Sequence, residues 1–234
     1  SVELGDENKT YTYQQDLTSK DVFYTKAEFK QFIKDAKAIG VNVVPEIDTP
    51  AHSLALTKVL PELRFSTSGK GNDHLDLVNQ YDECFDFVTN IFDEYLEGDD
   101  PVFGQDTIVH VGCDEYEQSP NNFRQFSNDL TQYIEDSGRT ARIWGGFTKL
   151  VGDGSVAIDG KGIQLNLWDE GYANMHHMYE LGFDLINCDD DDYYIVPNAG
   201  YYKDYLNANT MYNLAVNNIG GLTIPAGDAQ MLGG

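Results

Sequence analysis

The sequence predicts an α/β fold on a parallel sheet, arranged as a (β/α)8 barrel of the TIM type. Three observations predict it. Short apolar runs alternate with longer stretches of helical periodicity along the 234 residues, which is the pattern of repeated strand–helix units. The run Thr107-Ile108-Val109-His110-Val111 is nearly continuous in apolar residues, as expected of a strand covered on both faces. Every candidate strand ends in polar or aromatic residues, and in barrels chemistry gathers where the strands end.

Residues 1–24 are polar and read as a loop with short extended pieces. A helix follows Thr25, an N-cap with Glu28 three residues on, the spacing of a capping box. Its apolar stripe is Phe29, Phe32, Ile33, Ala36 and Ile39, and Gly40 stops it. Val41 to Asp48 reads as a buried strand with Pro45 near its end, where a missing backbone donor costs least. Thr49-Pro50-Ala51-His52-Ser53 turns out of it, so Glu46, Asp48 and His52 gather at a strand end. Such a group serves as metal ligands, a proton relay or turn chemistry, and Asp48 before Thr-Pro suits a turn.

From Asp76 to Leu96 apolar residues recur at helical spacing, ended by Gly98. The strand at Thr107–Val111 runs into Asp114 and Glu115, which stand either at a catalytic edge or as the cap of the next helix. Ser119-Pro120-Asn121 starts a helix closed by Gly138. Ala141 to Trp144 is a strand ending in two glycines, and Ile163 to Trp168 repeats it, followed by a helix over Tyr172–Leu181. Asp184 to Cys188 is the fifth strand, ending in Asp189–Asp192 and Tyr193-Tyr194. Tyr201 to Val216 reads as helix and the remainder is glycine-rich.

Five strands fall short of the eight in a complete barrel of about 250 residues. The chain therefore reads as one domain over 1–234, an incomplete barrel and an internal segment of a longer protein. A hydrophobic fraction of 41% supports a sizeable core. The net charge of −24 repels nucleic acid and anionic membranes, and serves solubility as readily as binding. Cys84, Cys113 and Cys188 are odd in number and lack metal spacing, so they read as small core residues. No apolar run reaches the roughly 18 residues of a membrane span. The chain opens at Ser1 rather than Met, as it would after loss of a leader.

Aromatic faces stack on sugar rings, while carboxylates accept their hydroxyls and move protons to a glycosidic oxygen. No glycine-rich phosphate loop or basic cluster stands at the strand ends, which counts against phosphate esters. Glycoside hydrolysis is the natural class. Adjacent acids fit poorly as two carboxylates flanking a bond about 5–9 Å apart. They suit a scheme in which the substrate supplies its own nucleophile and one carboxylate steers it.

His110-Val111-Gly112-Cys113-Asp114-Glu115 resembles the His-x-Gly-Gly-Asp-Glu motif of family 20 glycoside hydrolases, the β-N-acetylhexosaminidase family. Val44-Pro45-Glu46-Ile47-Asp48-Thr49-Pro50-Ala51-His52 is similar to that family's Pro-Glu-Ile-Asp-x-Pro-Gly-His. The resemblance runs through Trp144, Leu167-Trp168 and Tyr193-Tyr194, from about residue 25 onward. The stretches Tyr194–Tyr202 and Ile143–Gly146 resemble the lacto-N-biosidase branch, which releases lacto-N-biose from milk-type glycans. Cys113 and Ala51 replace family glycines with other small residues. The first two and the last strands of the family's barrel have no counterpart, the chain stopping at Met231–Gly234 where the last would begin.

The resemblance implies a retaining, substrate-assisted hydrolase. In it Glu115 is acid and then base, its pKa raised by burial and by Asp114, which orients the 2-acetamido group. Tyr194 donates to the acetamido oxygen, with Tyr193 the alternative one residue earlier. Trp144 and Trp168 wall the pocket, and His52 with Asp48 tunes the proton on Glu115. It implies an oligosaccharide or glycoconjugate substrate, no cofactor or metal, no nucleic acid or membrane insertion, and a secreted, extracellular or cell-surface bacterial enzyme. The rival readings are an exo-β-N-acetylhexosaminidase releasing single sugars, a truncated carbohydrate-binding remnant, and a calcium loop at Asp189–Asp192 that lacks the EF-hand pattern.

Overall fold

Six parallel strands form the central sheet of the computed structural model, which describes residues 1–17, 19–20, 22–69 and 71–234. The chain opens with an antiparallel pair, β1 (Val2–Leu4) and β2 (Lys9–Tyr11), packed on a later helix. Helix α1 (Lys26–Ala38) carries the expected capping box between Thr25 and Glu28. Strand β3 (Glu46–Thr49) leads to α2 (Leu54–Val59), then to α3 (Tyr81–Leu96), β4 (Ile108–Gly112) and α4 (Pro120–Asp136). Next come β5 (Thr140–Trp144), β6 (Gln164–Leu167), α5 (Met175–Glu180), β7 (Asp184–Asn187) and α6 (Asp190–Tyr193). The chain closes with α7 (Ala208–Asn213), the short hairpin β8 (Asn218–Ile219) and β9 (Leu222–Thr223), and β10 (Met231–Gly233).

The sheet order is β10-β7-β6-β5-β4-β3, so strands joined by α3 or α4 lie side by side, as in a barrel opened along one seam. The five expected strands are present, and Met231–Gly233 adds a sixth, correcting the reading of that stretch as the tail before a missing strand. Six strands of eight make the barrel incomplete.

Several boundaries move for identifiable local reasons. The ladder of β3 begins only where the Pro45 carbonyl accepts from His110, so the run from Val41 to Val44 is not strand. Asp76 Oδ1 accepts from the Val78 and Asn79 amides, and this turn delays α3 to Tyr81. Asn174 and Asn207 cap α5 and α7 by accepting amide hydrogens, which shortens the helices expected over Tyr172–Leu181 and Tyr201–Val216.

Helices α3 and α4 cover one face of the sheet. Phe85 meets Phe126 edge to face at 6.0 Å, and Phe92, Phe123, Phe126, Leu130 and Ile134 are fully buried. Each such side chain contributes about 1.5–3 kcal/mol of apolar transfer. The strands alternate: on β5, Ala141 and Ile143 are buried against the helices, while Arg142 and Trp144 point into the barrel interior. Glu46, His110, Arg142, Gln164 and Asp184 sit in register across five strands and form one polar interior layer. Among the described residues no helix is long and apolar enough to cross a membrane.

Candidate active site

Strands β3 and β4 deliver four titratable groups to one place. Asp48 points inward from β3, and His52 follows on the turn after Pro50. Asp114 and Glu115 leave the end of β4. The two strands approach closely because Gly112 lacks a side chain: a Cβ there would run into Asp48, 2.6 Å from its Cα. Gly112 adopts φ 79°, and the next turn is left-handed at Cys113 (φ 67°) and Glu115 (φ 45°), as is His52 (φ 51°). Non-glycine residues reach this region at a cost of roughly 1–3 kcal/mol, and such conformations concentrate at functional sites. Cys113 occupies the position of a motif glycine and takes a glycine's conformation, fully buried.

The four groups divide into two pairs. Asp48, Asp114 and His52 each bring a polar atom to within 4.8 Å of the others. The Oδ1 atoms of Asp48 and Asp114 are buried without a hydrogen-bond partner among the described residues. Burial first, then the charge of Asp114, pushes Asp48 up to about 8; burial pushes Asp114 up to about 6, against the pull of His52. Two buried carboxyls this close disfavour double ionisation, so the pair favours holding one proton between its members.

Glu115 behaves oppositely. Its Oε2 lies 3.2 Å from His52 Nε2, and this hydrogen bond holds the carboxyl below its ordinary range despite partial burial. The same bond pushes His52 up to about 9. The expectation that burial and Asp114 would raise Glu115 is thus corrected: His52 decides its charge, and the raised acids are Asp48 and Asp114.

The other expected site residues are distributed around this centre. The Tyr194 hydroxyl is pushed up to about 12 by burial, by Tyr202, whose ring is 5.1 Å away, and in smaller part by Asp114. Tyr193 instead lies with its hydroxyl against Gly234. Trp144 Nε1 donates to Glu46 Oε1 at 2.7 Å, and its ring stands 5.0 Å from His110. Trp168 is 8% exposed, donates to the Gly145 carbonyl at 2.9 Å and packs on Tyr172 at 4.9 Å. Asp189 caps α6 by accepting from the Asp191 amide, so the acidic run forms the first turn of a helix. His110 is buried and held down to about 3 by burial and then by Arg142, so it is neutral; its Nδ1 accepts from the Gly112 amide at 3.1 Å.

Sequence reasoning missed Asp73, His74 and Tyr172. A cleft of about 200 Å³ beside Glu115 is lined by His52, Asp73, His74, Glu117, Gln118 and Tyr172. Tyr172 donates to Glu117 at 2.8 Å and helps hold Glu115 ionised. A larger cavity of about 450 Å³ lies between Thr107 and Arg139, at the opposite ends of β4 and β5, away from every acid named here. Among the described residues, Asp48, His52 and Asp114 are spaced so that they could hold a metal ion. A metal would have to displace the proton that Glu115 stabilises on His52.

A sequence model described as "Glycosyl hydrolase family 20, catalytic domain" matches residues 3–123. The lacto-N-biosidase of Bifidobacterium bifidum is 30% identical over 166 residues, covering 69% of this chain and 14% of that protein. Beta-hexosaminidase subunit A2 of Dictyostelium discoideum is 30% identical over 146 residues, 56% of this chain and 25% of that protein. Among solved structures, a tandem GH20 catalytic module of a pneumococcal exo-β-D-N-acetylglucosaminidase matches at TM-score 0.62 and 22% identity, covering 77% of this chain and 49% of that one. A Streptomyces plicatus beta-hexosaminidase with bound GlcNAc matches at TM-score 0.55 and 22% identity, covering 77% of this chain and 37% of that one. The chain thus spans a quarter or less of these two curated relatives and under half of the two solved chains, whose likeness is one of fold.

Proposed function

This chain belongs to glycosyl hydrolase family 20, and from that premise we propose that it carries the catalytic centre of a retaining, substrate-assisted hydrolase of β-linked N-acetylhexosamine glycans. The observation that supports this most is the opposite electrostatics of two adjacent acids, Asp114 raised beside Asp48 and Glu115 lowered beside His52.

In the resting site His52 holds the proton and Glu115 is a carboxylate, 3.2 Å apart. Transfer from Nε2 to Oε2 makes Glu115 the acid and leaves His52 neutral. Glu115 then protonates the leaving glycosidic oxygen while the substrate's acetamido oxygen attacks the anomeric carbon. The C–O bond breaks and a positively charged oxazolinium ring forms. Asp114 offsets that charge and accepts from the acetamido N–H, an interaction strongest in the transition state. This requires Asp114 to be ionised as the ring forms, with the pair's proton on Asp48. Because the two are coupled, they titrate as a pair. Tyr194 donates to the acetamido oxygen. In the second half Glu115 takes a proton from water, which opens the ring from the face the leaving group left, with net retention.

For the substrate we propose release of lacto-N-biose, supported by the Bifidobacterium bifidum relative and by the resemblance of the Tyr194–Tyr202 loop. Chromatography of an early lacto-N-tetraose digest tests it. Disaccharide as first product is expected; a monosaccharide as first product would replace this reading with an exo-hexosaminidase.

A further inference from the structure

The connection from Gly71 to Leu77 crosses between the two catalytic strand ends and is bonded to both. On the β3 side the Ser53 amide donates to the Asp73 carbonyl at 2.7 Å, and the Leu75 amide to the Pro50 carbonyl at 2.9 Å. On the β4 side the Tyr116 hydroxyl donates to the Leu75 carbonyl at 2.9 Å and accepts from the Leu77 amide at 3.1 Å. Backbone contacts of this kind fix a loop in place without requiring any particular side chain at 73 or 74.

The side chains at 73 and 74 do something further. His74 is 7% exposed and its ring lies 5.2 Å from that of Tyr116. Its Nε2 faces the backbone carbonyl of Glu115 at 3.4 Å, and its Nδ1 lies 2.8 Å from Asp73 Oδ1. The second oxygen of Asp73 is 3.8 Å from His52 Nδ1. One chain of contacts therefore runs from the Glu115 backbone through His74 and Asp73 to His52, whose far nitrogen returns to the Glu115 carboxylate.

The loop closes on a residue that needs holding. Glu115 has φ 45°, a conformation an unbranched L-residue leaves when nothing retains it. Its carbonyl is the group that swings when φ and ψ relax, and its carboxylate must lie within hydrogen-bond reach of the bond it protonates. We propose that Asp73 and His74 are a positioning pair for Glu115: His74 pins the strained backbone, and Asp73 orients both His74 and the His52 ring that loads the acid. Neither touches the reacting atoms; both act through Glu115 and His52. The proposal rests on the reading of Glu115 as the acid.

Protonation of the leaving group matters most when that group is a sugar alcohol, and least when it is a nitrophenolate that departs unaided. The test compares His74→Phe, Asp73→Ala and Asp73→Asn with wild type on a 2-acetamido oligosaccharide and on the matching nitrophenyl glycoside. His74→Phe keeps a ring against Tyr116, and Asp73 is a partly exposed loop residue, so folding is expected to be retained and is checked by circular dichroism. Loss of aim should lower kcat on the oligosaccharide about 10- to 100-fold with KM little changed, and lower the nitrophenyl rate less than about threefold. Asp73→Asn keeps an oxygen facing His74 and should recover most of what Asp73→Ala loses. Equal losses on both substrates, or a change in KM alone, would overturn the positioning role while leaving Glu115 as acid. A wild-type protein that cleaves neither substrate would overturn the underlying reading and this one with it.

Discussion

In the buried part of the site, its floor, Asp114 lies close to Asp48, and both carboxyls are pushed above their ordinary range, chiefly by burial. At its rim Glu115 meets His52 and is held below its own. The two acids adjoin in sequence, so composition and spacing treat them alike. Backbone geometry separates them. Left-handed residues at 113 and 115 flank a residue outside that region at 114, and the alternation turns the two side chains toward different partners. The division of labour we propose, a proton carrier and a steering charge, would thus rest on three backbone dihedrals and on which partner each side chain faces.

The hardest way to strain this comparison is to remove the rim acid. Glu115→Gln keeps the shape and the contact with His52 but cannot carry a proton, and turnover should fall by roughly two to four orders of magnitude, the usual worth of a general acid–base. Rates within a few-fold of wild type would transfer the role to another group. Removing the floor acid tests the other half. Asp114→Asn should lower turnover of 2-acetamido substrates by about 10²–10³, the scale of losing one group aimed at developing charge. Substrates with a 2-hydroxyl in that place start far slower and should change little. A uniform loss on both would mean that Asp114 supports the fold of the site rather than the acetamido group.

How much of the fold and site is legible in the sequence depends on how local the cause is. The strands β3 to β7 announce themselves through apolar runs, and α1 through Thr25 and Glu28, because each signal lies within a few residues of the element it specifies. The strand ends bearing Asp48, His52, Asp114 and Glu115 are equally legible, since a strand that stops must expose the residues just beyond it. The helix expected over Tyr201–Val216 fails because the Asn207 side-chain oxygen competes for the backbone amides, leaving only Ala208–Asn213. The charge on Glu115 could not be read from its neighbour Asp114, because its controlling partner, His52, arrives from the turn after another strand. Asp73 and His74 sit in an irregular connection with no periodicity, and the contact that gives His74 its meaning spans 41 residues. Phe32, Ile39 and Val41, on and just after α1, are exposed apolar residues.

The smallest effect contrasts the two pairs through their pH dependence. A carboxyl whose pKa is raised on folding stabilises the fold below its unfolded value, and that contribution drains away as pH rises through the folded value. Asp48, ordinarily near 3.8 and raised to about 8, therefore favours the fold most in acid and loses that advantage between about pH 4 and 8. Asp48→Asn is neutral throughout and can donate to Asp114, so its melting temperature relative to wild type should climb across that window. Glu115 runs the other way: its lowered pKa stabilises the fold above its ordinary 4.5 and loses that as pH falls through the folded value. Glu115→Gln should therefore melt below wild type near neutrality and converge with it in acid. Both differences are read as the change in melting temperature between acid and mildly alkaline pH. Thermal melts of the two variants from acid to pH 8 should thus give difference curves of opposite slope. Parallel curves would mean that the floor and rim acids share one environment, and the backbone alternation at 113–115 would then separate side chains without separating their charge.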